Sequence, residues 1–253
     1  MEKVEAASRS LLRLAWLGAA GAVAAIALLW AYAEREGRAA ARQAVRVEVQ
    51  GETALLAAGL QGAVDRNVQL VQGLVAVISF EPDMADGRFM RLAGQVLSAA
   101  SEIRHIAAAP DLVIRRVYPL RDNYTVIGID YRDLPDQLPE IELARDLGVA
   151  VLVGPVDLIQ GGRGFIVRSP VFVDDGSGSE RRFWGIISTV IDPARLYAAA
   201  GLDAPDLGIS VAVTAKDGVS QGAPFYGDPS ILGEDPVTAT VTGALERKKI
   251  SWA

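Results

Sequence analysis

The chain contains one histidine, His105, and no cysteine. These residue types most often bind zinc or supply a thiolate, so a Cys- or His-rich metal centre is excluded, and so are disulfides. His105 sits in Ile103-Arg104-His105-Ile106, a strand-like run, where a lone imidazole reads as a packed residue. Serine hydrolysis needs a nucleophile, a base and a group that orients the base. No such pairing gathers around His105. The carboxylate pairs Asp174-Asp175 and Glu234-Asp235 lie in polar turn-like stretches and read as solvated loop. Gly161, Gly162 and Gly164 lack the spacing of a phosphate-cradling loop, and a strand rather than a helix follows them. The sequence therefore offers no catalytic residue, no metal ligand and no cofactor site.

The net charge of −6 and a pI near 5.0 argue against a nucleic-acid partner, which would need a basic face. Mean hydropathy is +0.25, and one segment explains much of it. Leu14 to Ala33 is 20 residues without a charge, enough to span a bilayer core of ~30 Å as a helix. Trp16, Trp30 and Tyr32 lie near its ends, where amphipathic rings favour the headgroup zone. A cleaved signal peptide is the rival reading: Lys3, Arg9 and Arg13 precede the run, and Ala31-Tyr32-Ala33 is an acceptable cleavage site. The length of the apolar run favours an uncleaved transmembrane anchor and a bilayer partner. Arginines on both sides leave the orientation open on charge alone.

From Glu34 to about Phe80 there is no proline, and Val45, Val49, Leu55, Leu56, Leu60, Val64, Val68, Val71, Val75 and Ile78 recur at three- and four-residue steps. That pattern predicts a long amphipathic helix. Its apolar stripe needs cover, from a second copy near the membrane and from its own domain beyond about Leu60. Glu81-Pro82-Asp83 stops it. A helix over Arg88 to Ser101 follows, then strands over Ile103–Ala109, Leu112–Tyr118 and Val126–Ile129. Pro139 and Gly148 bracket a helix over Glu140–Leu147. Strands are expected over Val149–Val153, Gly164–Val173 and Phe183–Ile191, the last two joined by the loop Asp174–Ser179. Asp192-Pro193 opens a helix over Ala194–Ala200. Ile209–Thr214 and Val237–Thr242 read as strands of a second small sheet. The order is that of an α+β fold.

An ordered set of short elements runs through the second half of the chain. It includes Ala109-Pro110, Ile114 through Pro119, Asn123, Gly128 to Asp130, Ala144-Arg145, Gly154-Pro155, Gly161-Gly162 and Arg168 to Phe172. It continues through Phe183-Trp184-Gly185, Ile191-Asp192, Gly201-Leu202, Gly227-Asp228-Pro229 and Asp235-Pro236-Val237. Over about 150 residues the chain thus resembles the CHASE family, the extracytoplasmic sensory domains of receptor histidine kinases and nucleotide cyclases. The resemblance implies two PAS-like mixed α/β subdomains on a long N-terminal helix. The expected division is a cytoplasmic tail at 1–13, a transmembrane helix at 14–33, the long signalling helix at 34–80 and the sensor domain at 81–253. Within the last, a distal part covers about 81–175 and a proximal part about 176–253.

Cytokinin-binding members of that family use an aspartate before the short helix, a backbone amide after the Gly/Ser-Pro element and a threonine on the next strand. On this chain those positions fall at Gln137 with Asp136 beside it, at Ile159 and at Arg168. Two of the three side chains depart, so an adenine-type ligand is doubtful. Two readings of Arg168 stay open: it holds a carboxylate or phosphate of an anionic small-molecule ligand, or it makes an internal salt bridge, for example to Asp130 or Asp157. The function implied is a ligand-sensing input module of a bacterial receptor in the inner membrane, with the sensor domain periplasmic. It would be a homodimer through the long helix, and a kinase or cyclase domain would follow beyond residue 253. A pilin-like assembly protein and an exported enzyme are the alternatives.

Overall fold

A computed structural model of the chain describes residues 2–174, 181–214, 224–233, 241–242 and 251–252, with side chains for a slightly smaller set. The chain divides into two units, Met1–Gly51 and Glu52–Ala253. Helix α1 covers Glu2–Phe80, as the proline-free periodic run requires. In its part within the first unit, Val45 and Val47 are exposed. The run Leu14–Ala33 is helical, and several of its side chains lie outside the described residues. Among the described residues no helix is long and apolar enough to cross a membrane.

The second unit is built on an antiparallel sheet of five strands in the order β2-β1-β5-β4-β3. Its members are β1 (Ile103–Pro110), β2 (Arg116–Tyr118), β3 (Val151–Asp157), β4 (Arg163–Val173) and β5 (Arg182–Ile191). Both faces are covered. The last third of α1 lies on one of them: Leu60, Ala63, Val64 and Val68 pack with Phe165, Val167 and Ile191. Helix α4 (Pro193–Ala199) adds Leu196 and Tyr197 to the same cluster. Further along that face, Val71, Leu74, Val75 and Ile78 meet Ile106, Val171, Ile187 and Phe89 of α2 (Asp86–Ala99). The apolar stripe of α1 is thus buried by its own domain from Leu60 onward, as its period demands. The other face of the sheet carries Ala107, Ala109, Val151 and Ile186. It is covered by Ile141 and Ala144 of α3 (Leu138–Leu147) and by Ile114, Val126 and Tyr131 of the connection from β1 to α3.

Local signals explain the short helices. Gly148 ends α3 in the left-handed conformation, φ 68°, and its N–H donates to the carbonyls of Ala144 and Arg145, the closure for which glycine carries no Cβ penalty. The Asp192 side chain accepts from the Arg195 N–H and caps α4.

Three expectations are corrected. Val126–Ile129 is not a strand: residues Tyr124–Val126 form a 3-10 turn, and the backbone after it bonds to the irregular segment Leu112–Ile114 around a bridge between Val113 and Asp130. Val126 is turned inward to line a cavity rather than paired along an edge, and Ile127 is exposed. Leu112–Arg115 is likewise irregular, and β2 begins only at Arg116. The described parts of Ile209–Thr214 and Val237–Thr242 are not paired with each other. Strand β6 (Ala212–Val213) pairs with β7 (Tyr226–Gly227), and β8 (Val241–Thr242) pairs with β9 (Ser251–Trp252). Residues 237–240 and most of the Asp174–Ser179 loop lie outside the described residues. The five-stranded sheet also runs across residue 176, since β5 is hydrogen-bonded between β1 and β4. A division of the sensor domain at about residue 175 therefore coincides with no sheet boundary.

Candidate ligand site

Strand alternation sends every second side chain to the face opposite α1. The register then places these in two cross-strand rows. Ala107, Ser188, Arg168 and Val151 form one; His105, Val190, Ile166 and Val153 form the other. A cavity with room of about 40 Å³ lies over these rows. Tyr131, Gln137, Val126 and the turn Asp157–Gln160 complete its wall.

Arg168 dominates the chemistry. It is 3% exposed. Its Nη1 donates to Ser188 Oγ at 2.7 Å, and its Nη2 donates to Gln137 Oε1. The guanidinium carbon stands 4.8 Å from the centre of the Tyr131 ring, a favourable cation–π distance. Tyr131 Oη and Ser188 Oγ share a hydrogen bond of 2.9 Å. Buried Nε has no hydrogen-bond partner among the described residues. All these partners are neutral. The salt-bridge reading is not what the structure shows: among the described residues no carboxylate pairs with Arg168. Asp130 is held by Arg132 at 2.7 Å, and Asp157 lies 3.8 Å from Arg163 with its side chain in solvent. A guanidinium has five donors, and an unpaired buried charge is costly. This cation is short of one negative partner.

His105, 3% exposed, sits on the same wall. Burial, and then the positive charge of Arg104, lower its pKa from 6.5 to about 4, so it is neutral at physiological pH. Gln160 Nε2 lies 3.0 Å from His105 Nε2 and 3.3 Å from Asn123 Oδ1. It ties the turn after β3 to β1 and to the loop before the 3-10 turn. The unfolded chain takes up a proton near pH 6.5 that the folded chain resists until about pH 4. The contribution of a neutral, buried His105 is therefore complete above pH 6.5 and is lost as the pH falls toward 4, by about 3 kcal/mol in total. His105→Gln should flatten that slope. In urea titrations the stability lost between pH 7 and pH 4.5 is expected to be smaller in the variant by about 2 kcal/mol. Equal losses in the two proteins would place the histidine in contact with water.

Of the positions picked out by resemblance, Gln137, Ile159 and Arg168 come together at the cavity, Ile159 at its mouth and 52% exposed. Asp136 is exposed and does not line it. Sequence reasoning missed Ser188, Tyr131 and Gln160. Only Ser188 left a trace, as a polar residue inside the apolar run of β5. A Gly-x-Ser-x-Gly spacing does occur, at Gly218-Val219-Ser220-Gln221-Gly222. It lies outside the described residues, and the chain's one histidine is buried in the cavity wall with Gln160.

A family model described as the CHASE domain matches residues 63–226. No curated protein sequence matches the chain. Among solved structures, the fold is similar to that of an extracellular ligand binding receptor from Desulfohalobium retbaense DSM5692. The TM-score is 0.54 and the identity 18%, over 70% of this chain and 31% of that one. This chain thus spans about a third of the receptor's length, and at this identity the likeness concerns the fold.

Proposed function

The chain belongs to the CHASE domain family, matched over well more than half its length, and from that premise we propose that it is the extracytoplasmic input module of a membrane-bound signalling receptor. The sensed molecule is small, is held in the cavity over β1, β5 and β4, and presents an anionic group to Arg168. The observation that carries this is the buried guanidinium, facing a cavity and paired with no carboxylate among the described residues. The segment is an input module without catalysis of its own.

Leu14–Ala33 serves as the anchor and residues 1–13 as the cytoplasmic tail. Residues 34–80 form the signalling helix and 81–253 a sensor of two PAS-like parts. The exposed apolar residues of α1 before Leu60 pair with a second copy. A histidine kinase or nucleotide cyclase follows in the longer receptor. The coupling follows from strand alternation. Arg168 and Ser188 face the cavity, while their neighbours Val167 and Thr189 turn to the opposite face, where Val167 packs with Leu60, Val64 and Val68 of α1. A ligand that draws in β4 and β5 is therefore felt by the helix, and binding biases whichever helix arrangement fits the drawn-in sheet.

One experiment tests placement and pairing together. The chain has no cysteine, so single cysteines set along Val45 to Gln61 are unambiguous. In whole cells a membrane-impermeant maleimide should label them, and oxidation should cross-link them with a period of about 3.6 residues. Labelling only after lysis would put the domain inside the cell. Uniformly absent cross-links would leave a single stalk. Ligand-dependent stabilisation that vanishes when Arg168 is replaced is the matching measurement for the cavity.

A further inference from the structure

The charge and shape of the cavity narrow the class of molecule it takes; the argument rests on the reading that this cavity is the ligand site. Among the described residues Arg168 is the only cation on its wall, and two of its donors are already spent on Ser188 and Gln137. His105, the one other basic group there, is buried and engaged with Gln160. A single negative charge balances this site. A second one would be buried without a partner, at a cost comparable with the gain from the first. The mouth adds to this, since Asp157 stands in solvent beside it. The guanidinium fork suits a planar carboxylate. Away from Arg168 the wall includes Ala107, Ile114, Val126, Ile166 and Val190, which offer contact and no hydrogen bonds, while the polar His105 and Gln160 there are engaged with each other. The room of about 40 Å³ corresponds to ~3 water positions, so the occupant is compact.

We infer that the cavity selects a small monocarboxylate with a short apolar tail, and discriminates against phosphate and dicarboxylates.

The full chain, purified in a non-ionic detergent at pH 7.5 and constant ionic strength, is melted with acetate, propionate, butyrate and isobutyrate. Butyramide, succinate and inorganic phosphate are run beside them. At a hundredfold excess over Kd, one or more of the monocarboxylates should raise Tm by about 5–10 °C. Butyramide, succinate and phosphate should leave it unchanged, and Arg168→Met should remove the shift. A shift with phosphate or succinate as large as with any monocarboxylate overturns the single-charge inference and leaves the anion reading of Arg168 standing. An equal shift with butyramide overturns that reading as well. No shift with any monocarboxylate, or one that persists in Arg168→Met, overturns the inference that this class binds at Arg168.

Discussion

Arg168→Met is expected to give a domain at least as stable as the parent and blind to its ligand. The guanidinium is 3% exposed and bonded only to neutral groups. Methionine has similar length, needs no partner and adapts to irregular space. A buried guanidinium without a counter-charge carries an uncompensated desolvation cost, which a hydrophobe of similar volume removes. The groups left behind are not orphaned. Ser188 Oγ and Tyr131 Oη still share their hydrogen bond, and Gln137 is half-buried and reaches water. The binding side moves the other way. A ligand at a hundredfold excess over Kd stabilises by ~2.7 kcal/mol, and all of that should go. Melting scans of the two proteins, each with and without ligand, read both effects. A variant that melts well below the parent without ligand would reveal an ion pair supporting Arg168. One that still responds to ligand would move the site elsewhere.

Gly185→Ala should be among the most damaging single substitutions in the domain. Gly185 is the residue from which β5 pairs on both sides, with Pro110 of β1 and Val171 of β4, beside a bulge at Val171/Phe172. Its φ is +149°, a conformation that side-chain-bearing residues rarely adopt. A Cβ there would lie 2.8 Å from Pro110 Cα and 2.9 Å from the Ala109 carbonyl carbon, and closer still to the Ala109 oxygen. These are backbone atoms of a central strand, so nothing flexible moves aside. Strain at such a φ costs of order 1–3 kcal/mol and overpacking about as much again. Against a total stability of 5–15 kcal/mol, a loss of ~3–5 kcal/mol should lower the urea midpoint sharply or leave the protein in inclusion bodies. Gly128→Ala is the control. Its φ is also positive, at 88°, but nothing lies within 4 Å of the added carbon, so the loss should be about 1 kcal/mol. Equal behaviour of the two would mean that β1 and β5 yield at this point.

Helix and strand identity in the long elements was legible along the chain. The proline-free periodic run became α1, and the β-branched runs became β3, β4 and β5. Pro139 with Gly148 and Asp192 with Pro193 bracket α3 and α4. These signals are local: backbone period, missing N–H groups and left-handed caps act within a few residues. The burial of α1 from Leu60 was legible for the same reason, because a stripe of that width demands cover.

Other features depend on partners far away in the chain. Val126 has the residue type of a strand yet sits in a 3-10 turn, because a cavity wall accepted it as apolar cover and no strand edge stood beside it. Ala212–Val213 found Tyr226–Gly227 as its neighbour, and Val241–Thr242 found Ser251–Trp252. The position of Arg168 was marked in the sequence, but its missing counter-charge was not, since Asp130 and Asp157 are equally plausible neighbours until Arg132 and Arg163 are seen to hold them. By itself the sequence determined the helical and strand-forming segments, the family and the presence of one unusual arginine. Only the antiparallel register, which sets residues 107, 168 and 188 side by side across three strands, decided that this arginine faces a cavity with a serine, a tyrosine and a neutral histidine. Residues so far apart in the chain meet through strand pairing, and one residue of slip would send each of them to the other face.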